Sequence, residues 1–231
     1  MNKTSITNFI DRYNLGGEVE SVKIFSTDDM LSVNFISDDK TLLGNVTSTE
    51  KRFPNGEFGV YATSQFKSLL SVLDEDVNVR NGDGTLKMSD DATAVNFVLS
   101  DLSVIPSVPE LKQLPNFEAE LSLDNEFVTK FIKAKSALPH ADTFTFVSVD
   151  GVSEIILGYS SLNTNRVSIK VNANVDGDVK PISFNSNYLK QVLIANRGSE
   201  KCSMKISSQG LSHLSFKTDT FTTNYYLVQI Q

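Results

Sequence analysis

Two rhythms alternate along the chain. Short runs rich in Val, Ile, Phe and Tyr, many of them alternating apolar with polar, predict strands: VESVKIF, MLSVNFI, LKMS, AVNFVL, TFTFVSV, EIILGY, RVSIKVNA, CSMKIS, HLSFK and NYYLVQI. Turn signals part them: NGDG at 81–84, VDG at 149–151, VDGD at 175–178 and SSQG at 207–210. Short strands at this spacing predict antiparallel sheet rather than parallel βαβ units. Four segments break the pattern with the i, i+3, i+4 spacing of a helix face. They carry Ile6, Phe9, Ile10 and Tyr13; Phe66, Leu69, Leu70 and Leu73; Val128, Phe131 and Ile132; and Leu189, Val192 and Leu193. Asp124 and Ser186 are placed to cap the last two, and Thr63 the second.

The helical segments recur in order. TNFIDRY at 7–13 aligns with TKFIKAK at 129–135, an offset of 122. TSQFKSLL at 63–70 aligns with SNYLKQVL at 186–193, an offset of 123. NFVL at 96–99 aligns with NYYL at 224–227, an offset of 128. The pattern predicts an α+β protein made of two copies of one domain, 1–107 and 118–231. The connector, 108–117, overlaps SVIPSVPELKQLPN at 103–116. Pro106, Pro109 and Pro115 resist helix and central strand there.

Charge adds a second asymmetry. The chain carries a net −7. Within windows 3–13, 63–73, 124–137 and 186–197 stand eight basic residues and three acids. The helices therefore hold +5 and the remainder −12. Lys130 and Lys133 lie on the wheel away from Val128, Phe131 and Ile132, and Lys190 lies away from Leu189 and Val192. Lys67 and Arg12 flank their stripes. Lys135 takes the position that Tyr13 fills in the first copy, so its stem is expected to pack and its ammonium to reach water. Basic helices in an acidic chain point to a surface that faces a polyanion.

Chemistry-bearing motifs are scarce. No P-loop, GxGxxG or HExxH occurs. NGDGT at 81–85 and NVDGDV at 174–179 lack the position-6 glycine and position-12 glutamate of a calcium loop, and read as hairpin turns. His140, His213 and Cys202 make no metal set. His213 alternates with Leu211 and Leu214 and reads as a structural strand residue. Cys202 reads as a small buried residue. Asp38-Asp39 and Asp90-Asp91 read as solvated turns. The expectation is a protein with no catalysis, no cofactor and no metal. The first fifteen residues lack an apolar signal core, and no apolar run is long enough to span a membrane. Cys202 is the only cysteine, so no internal disulfide can form, which favours a reducing, cytoplasmic setting.

The ordered set resembles the DNA polymerase sliding clamps. It is similar to the trimeric clamps of T4-like bacteriophages and to proliferating cell nuclear antigen. The resemblance rests on the duplicated helix-plus-strands unit, the proline-bearing connector, the segment GVYATSQFKSLLSVLDEDVNVRNGDGTLKMSD and the closing strand HLSFKTDTFTTNYYLVQI. It departs where no proline follows Tyr-Tyr-Leu. It implies a homotrimeric ring, with helices lining the hole and sheets forming the outer wall. Lys3, Arg12, Lys67, Lys130, Lys133, Lys190 and Arg197 would then face double-stranded DNA without reading its sequence. Ala94, Asn96 and Val98 would meet Arg166, Ser168 and Lys170 of a neighbour. Phe25, Met30, Ile105, Leu111, Leu114, Tyr226 and Val228 would line a pocket for partner peptides. The implied partners are a DNA polymerase, an ATP-driven clamp loader and late-transcription factors, in a host-cell cytoplasm. The competing reading is a β-rich phage tail or baseplate protein, which leaves the duplicated basic helices without a purpose.

Overall fold

The computed structural model describes residues 2–50, 53–162 and 164–230. It divides into two compact units, 1–109 with 219–223, and 110–218 with 224–231. The division falls in the proline-bearing stretch. Residues 219–223, expected in the second domain, group with the first. There Thr49 N–H donates to Thr220 O at 3.0 Å, and Phe221 packs under Arg12.

Unit 1 contains α1 (Lys3–Asn14), β1 (Val22–Ser26), β2 (Leu31–Ile36), β3 (Leu42–Ser48), β4 (Gly56–Val60), α2 (Thr63–Ser71), β5 (Asn78–Asn81), β6 (Thr85–Ser89) and β7 (Ala94–Val98). Its strands run β4-β1-β2-β3 in one antiparallel set and β5-β6-β7 in another. Unit 2 contains β8 (Ala119–Ser122), α3 (Asn125–Ala137), β9 (Thr143–Val149), β10 (Val152–Leu157), β11 (Val167–Lys170), β12 (Ala173–Val175), β13 (Val179–Asn185), α4 (Ser186–Ala195), β14 (Lys201–Ser207), β15 (Leu211–Lys217) and, from Asn224 on, β16 (Phe221–Val228), whose first three residues group with unit 1. Its strands run β13-β9-β10-β11 and β12-β8-β14-β15-β16. The order β4-β1-β2-β3 reappears as β13-β9-β10-β11, each between the two helices of its unit. The sequence repeat is thus a repeat of topology.

Aromatic side chains join one helix of each unit to its strands, α2 to β7 and α3 to β9. Phe66 lies 4.8 Å from Phe97 between ring centroids in unit 1. In unit 2 Phe131 meets Phe144 edge-on at 5.8 Å, and Phe144 meets Phe184 at 5.6 Å. All of these rings are buried. The α3 face is rotated from the expected stripe. Phe127, Phe131, Ala134 and Lys135 are buried, while Val128 and Ile132 are half-buried. The i, i+4, i+7, i+8 set directs Phe127 inward in place of Val128.

Two caps also move. Asp124 caps α3 as expected, accepting from Phe127 N–H at 2.7 Å. Asn185 caps α4 in place of Ser186, whose hydroxyl donates to Ala141 O. The Thr63 hydroxyl donates to Glu20 O, and the Glu20 carboxylate accepts Ser64 N–H at 2.8 Å at the start of α2. VDGD at 175–178 is not a hairpin turn. It leads from β12, paired with β8, to β13, paired with β9.

Candidate nucleic-acid interface

The expected DNA-facing residues do not share one environment. In unit 1, Arg12 is buried, with 7% exposure. Its Nη1 donates to Asn8 O at 2.7 Å and its guanidinium lies 4.1 Å from the centre of the Phe221 ring. A helix flank covered by a neighbouring segment becomes interior, so Arg12 is not on an open face. The Lys67 ammonium forms an ion pair with Asp11, and the Lys3 ammonium donates to Leu73 O. In unit 2, Lys130, Lys133 and Arg197 are exposed and Lys190 is half-buried. Lys130 pairs with Glu126, four residues earlier, at 2.6 Å. Among the described residues no ion pair engages Lys133, Lys190 or Arg197. Lys135 is buried instead of reaching water. Its ammonium donates to Pro139 O at 2.7 Å, and burial pushes its pKa below the usual lysine range, with Lys190 adding to the shift and Asp142 opposing it.

The two expected interface strands end their sheets. Among the described residues β7 borders only β6 and β11 only β10, and just past β7 Ser100 bridges Gly59 of β4. The hydrogen bonds fix which residues face the open side. Leu99 N–H donates to Gly84 O at 2.9 Å, and Asp90 N–H to Thr93 O at 3.0 Å. The odd residues of β7 therefore bond to β6, and Ala94, Asn96 and Val98 turn their N–H and C=O groups outward. Val171 N–H donates to Ser153 O at 3.0 Å. The odd residues of β11 likewise bond to β10, and Ser168 and Lys170 turn outward, with Arg166 in phase just before the strand. Side chains alternate in step with this. Val95, Phe97 and Ile169 are buried, while Ala94, Asn96, Val98, Ser168 and Lys170 are exposed. Val98 stands 72% exposed.

No protein-family model and no curated protein matches the sequence. Solved structures do. Proliferating cellular nuclear antigen from Entamoeba histolytica superposes with a TM-score of 0.75 over 100% of this chain and 97% of its own, at 13% identity. The PCNA of A. fulgidus, solved with the C-terminal region of FEN-1 bound, gives 0.78 over 100% and 97%, at 15% identity. The chain has the sliding-clamp fold.

In the clamp fold of this chain, the expected pocket residues fall in both units. In unit 1, Phe25 is half-buried on β1 and Met30 is exposed, but Ile105 is core, with 4% exposure. Its side chain is committed to packing and has no free face for a peptide. In unit 2, Leu111, Leu114 and Val228 are exposed and Tyr226 is half-buried. Tyr226 stacks on His213, with centroids 4.6 Å apart and planes 9° apart. Phe117 adds a third ring 6.2 Å from His213, and His213 Nε2 lies 3.0 Å from Asn224 Oδ1. Burial and, secondarily, Lys205 lower the His213 pKa, with the Asn224 contact opposing them. Sequence alternation placed His213 in a strand but gave no sign of this stack, which depends on the β15–β16 neighbourhood. Among the described residues no His, Cys, Asp and Glu cluster could hold a metal ion, and no helix is long and apolar enough to cross a membrane.

Proposed function

We propose that this chain is a non-catalytic DNA sliding clamp: three copies join head to tail into a ring around duplex DNA and tether a DNA polymerase. The observation that carries the reading is the matched phase of two open strand edges, one in each unit. Each copy offers one edge of either kind, so joining is heterologous and generates a ring where the rotation closes. The phase also selects a direction. In a parallel pair, an edge-facing residue lies alongside one that faces away, so Asn96 would lie alongside Val167 or Ile169 and the side-chain faces would disagree. In an antiparallel pair, edge-facing residues oppose one another and both faces agree. Setting Asn96 opposite Ser168 also sets Ala94 opposite Lys170 and Val98 opposite Arg166. A shift by two residues would leave only two of the three pairs.

The polar helix faces then turn to the phosphates, which fix position without reading sequence. A closed ring raises the local concentration of its polymerase at the primer end by topology rather than affinity. Phe25, Met30, Leu111, Leu114, Tyr226 and Val228 are the exposed or half-buried candidates for docking partner peptides. An ATP-driven loader opens the ring. The finer reading, a phage clamp that also meets late-transcription factors in the host cytoplasm, rests on the sequence resemblance alone. The tail-protein alternative has no support from the clamp fold. The test is molar mass by light scattering across protein concentration. With a chain of 25.5 kDa, a plateau near three chains is expected. A dimer or open-ended polymer would refute the ring.

A further inference from the structure

In the ring proposed above, we infer that the phosphate contacts are carried by the helices of unit 2 and not by those of unit 1. The duplicated sequence suggests two equivalent basic surfaces, but the side chains break that equivalence. Three cations belong to the helices of unit 1, and none is left free. Arg12 is buried, with its guanidinium over the Phe221 ring. Lys67 is neutralised by Asp11. Lys3 is held at the Leu73 carbonyl, beside the Glu75 carboxylate that accepts Thr4 N–H at 3.0 Å. The exposed positions of α1 and α2 are instead uncharged: Thr4, Asn8, Ser64, Gln65, Ser68 and Ser71.

The helices of unit 2 differ. Glu126 offsets Lys130 near the start of α3, and Asp124 is spent on the cap. Lys133, Lys190 and Arg197 remain, with no ion pair among the described residues. Buried Lys135 adds positive potential behind them, near Lys190. A phosphate approaching unit 1 must compete with Asp11 for Lys67. One approaching unit 2 meets cations that no ion pair engages among the described residues. The surface fits a regular polyanion with no sequence requirement, since lysine and arginine at solvent positions read charge rather than bases. Duplex DNA would therefore be gripped once per subunit rather than once per domain.

Binding of a short fluorescent duplex, followed by anisotropy over a range of salt concentrations, tests this. Removing one cation that meets a phosphate makes the slope of log K against log salt shallower by about one. The variant K133Q/K190Q/R197Q is expected to flatten that slope and to weaken binding at low salt by about tenfold or more. The variant K3Q/K67Q is expected to leave both within about twofold. The single substitutions K133Q, K190Q and R197Q, each expected to flatten the slope in part, serve where the triple variant loses its mass or its melting transition. Equal losses in the two sets, or a loss confined to K3Q/K67Q, would overturn the inference while leaving the clamp reading intact. A parent protein that binds no duplex at any salt would overturn the clamp reading and the inference with it.

Discussion

Asn96→Pro separates the open edge of β7 from its internal ladder. The N–H of Asn96 points away from β6, so proline there removes no bond within the chain. Its neighbour Val95 is already extended, the conformation that a following proline favours. The isolated subunit should therefore keep its fold. At the proposed junction, the same substitution deletes one donor from the central pair and leaves the facing carbonyl of Ser168 without a partner. An unsatisfied group of this kind costs about 1–3 kcal/mol, or roughly 5- to 150-fold in each junction. Releasing one subunit from a closed ring breaks two junctions, and distant sites add, so the loss comes to about 2–6 kcal/mol. The assay is the concentration at which light scattering shows half-assembly, with circular dichroism and melting to confirm the fold. Assembly should move to markedly higher concentration. Val95→Pro is the contrast, because its N–H bonds within the sheet and its side chain is buried; it should damage the fold itself. A folded Asn96→Pro protein that assembles at the parent's concentration would refute the edge assignment.

Three further outcomes follow from packing and charge. Phe131→Ala removes a fully buried ring that meets Phe127 and Phe144, and should cost about 3–5 kcal/mol in urea unfolding. Asp124→Ala removes the α3 cap and should cost about 1 kcal/mol in the same measurement, whereas Ser186→Ala should not behave as a cap loss, because Asn185 caps α4. His213 has a lowered pKa in the folded chain, so the unfolded chain binds the extra proton first as pH falls. Its site should be most stable above about pH 6.5 and lose stability below it, and His213→Gln should weaken that acid dependence in melting curves.

Periodicity made the helices and the duplication legible because each stripe had to bury against a sheet. Phe66 with Leu70, and Leu189 with Val192 and Leu193, are buried as their spacing requires. β3 was hidden by its apolar run Leu42-Leu43 followed by Gly44, and β4 by its two glycines. Pro181 masked β13, which tolerates it at a register shift between Val179 and Ile182. Tertiary contacts decided the remainder. Arg12 flanked its stripe on the helical wheel, and Lys135, on the stripe itself, was expected to bring its ammonium to water, but Phe221 packs against the first and the Pro139 carbonyl holds the second. Ile105 was expected in the peptide pocket that the clamp resemblance implied, yet it is core. The choice of Ala94, Asn96 and Val98 over their odd-numbered neighbours has a physical basis only in the hydrogen-bond phase of β7.

The central claim, a ring of three closed through β7 and β11, is tested most directly by cysteine cross-linking. Cys202, the only native cysteine, is replaced by serine, and Asn96→Cys is combined with Ser168→Cys in the same chain. Opposed residues of a hydrogen-bonded antiparallel pair have Cα atoms about 5.5 Å apart, within disulfide reach. Mild oxidation followed by non-reducing electrophoresis should give covalent two- and three-chain products and nothing larger, with the closed three-chain species dominant at completion. A ladder that continues past three chains, or chains that stay single under conditions where the parent assembles, would contradict the ring.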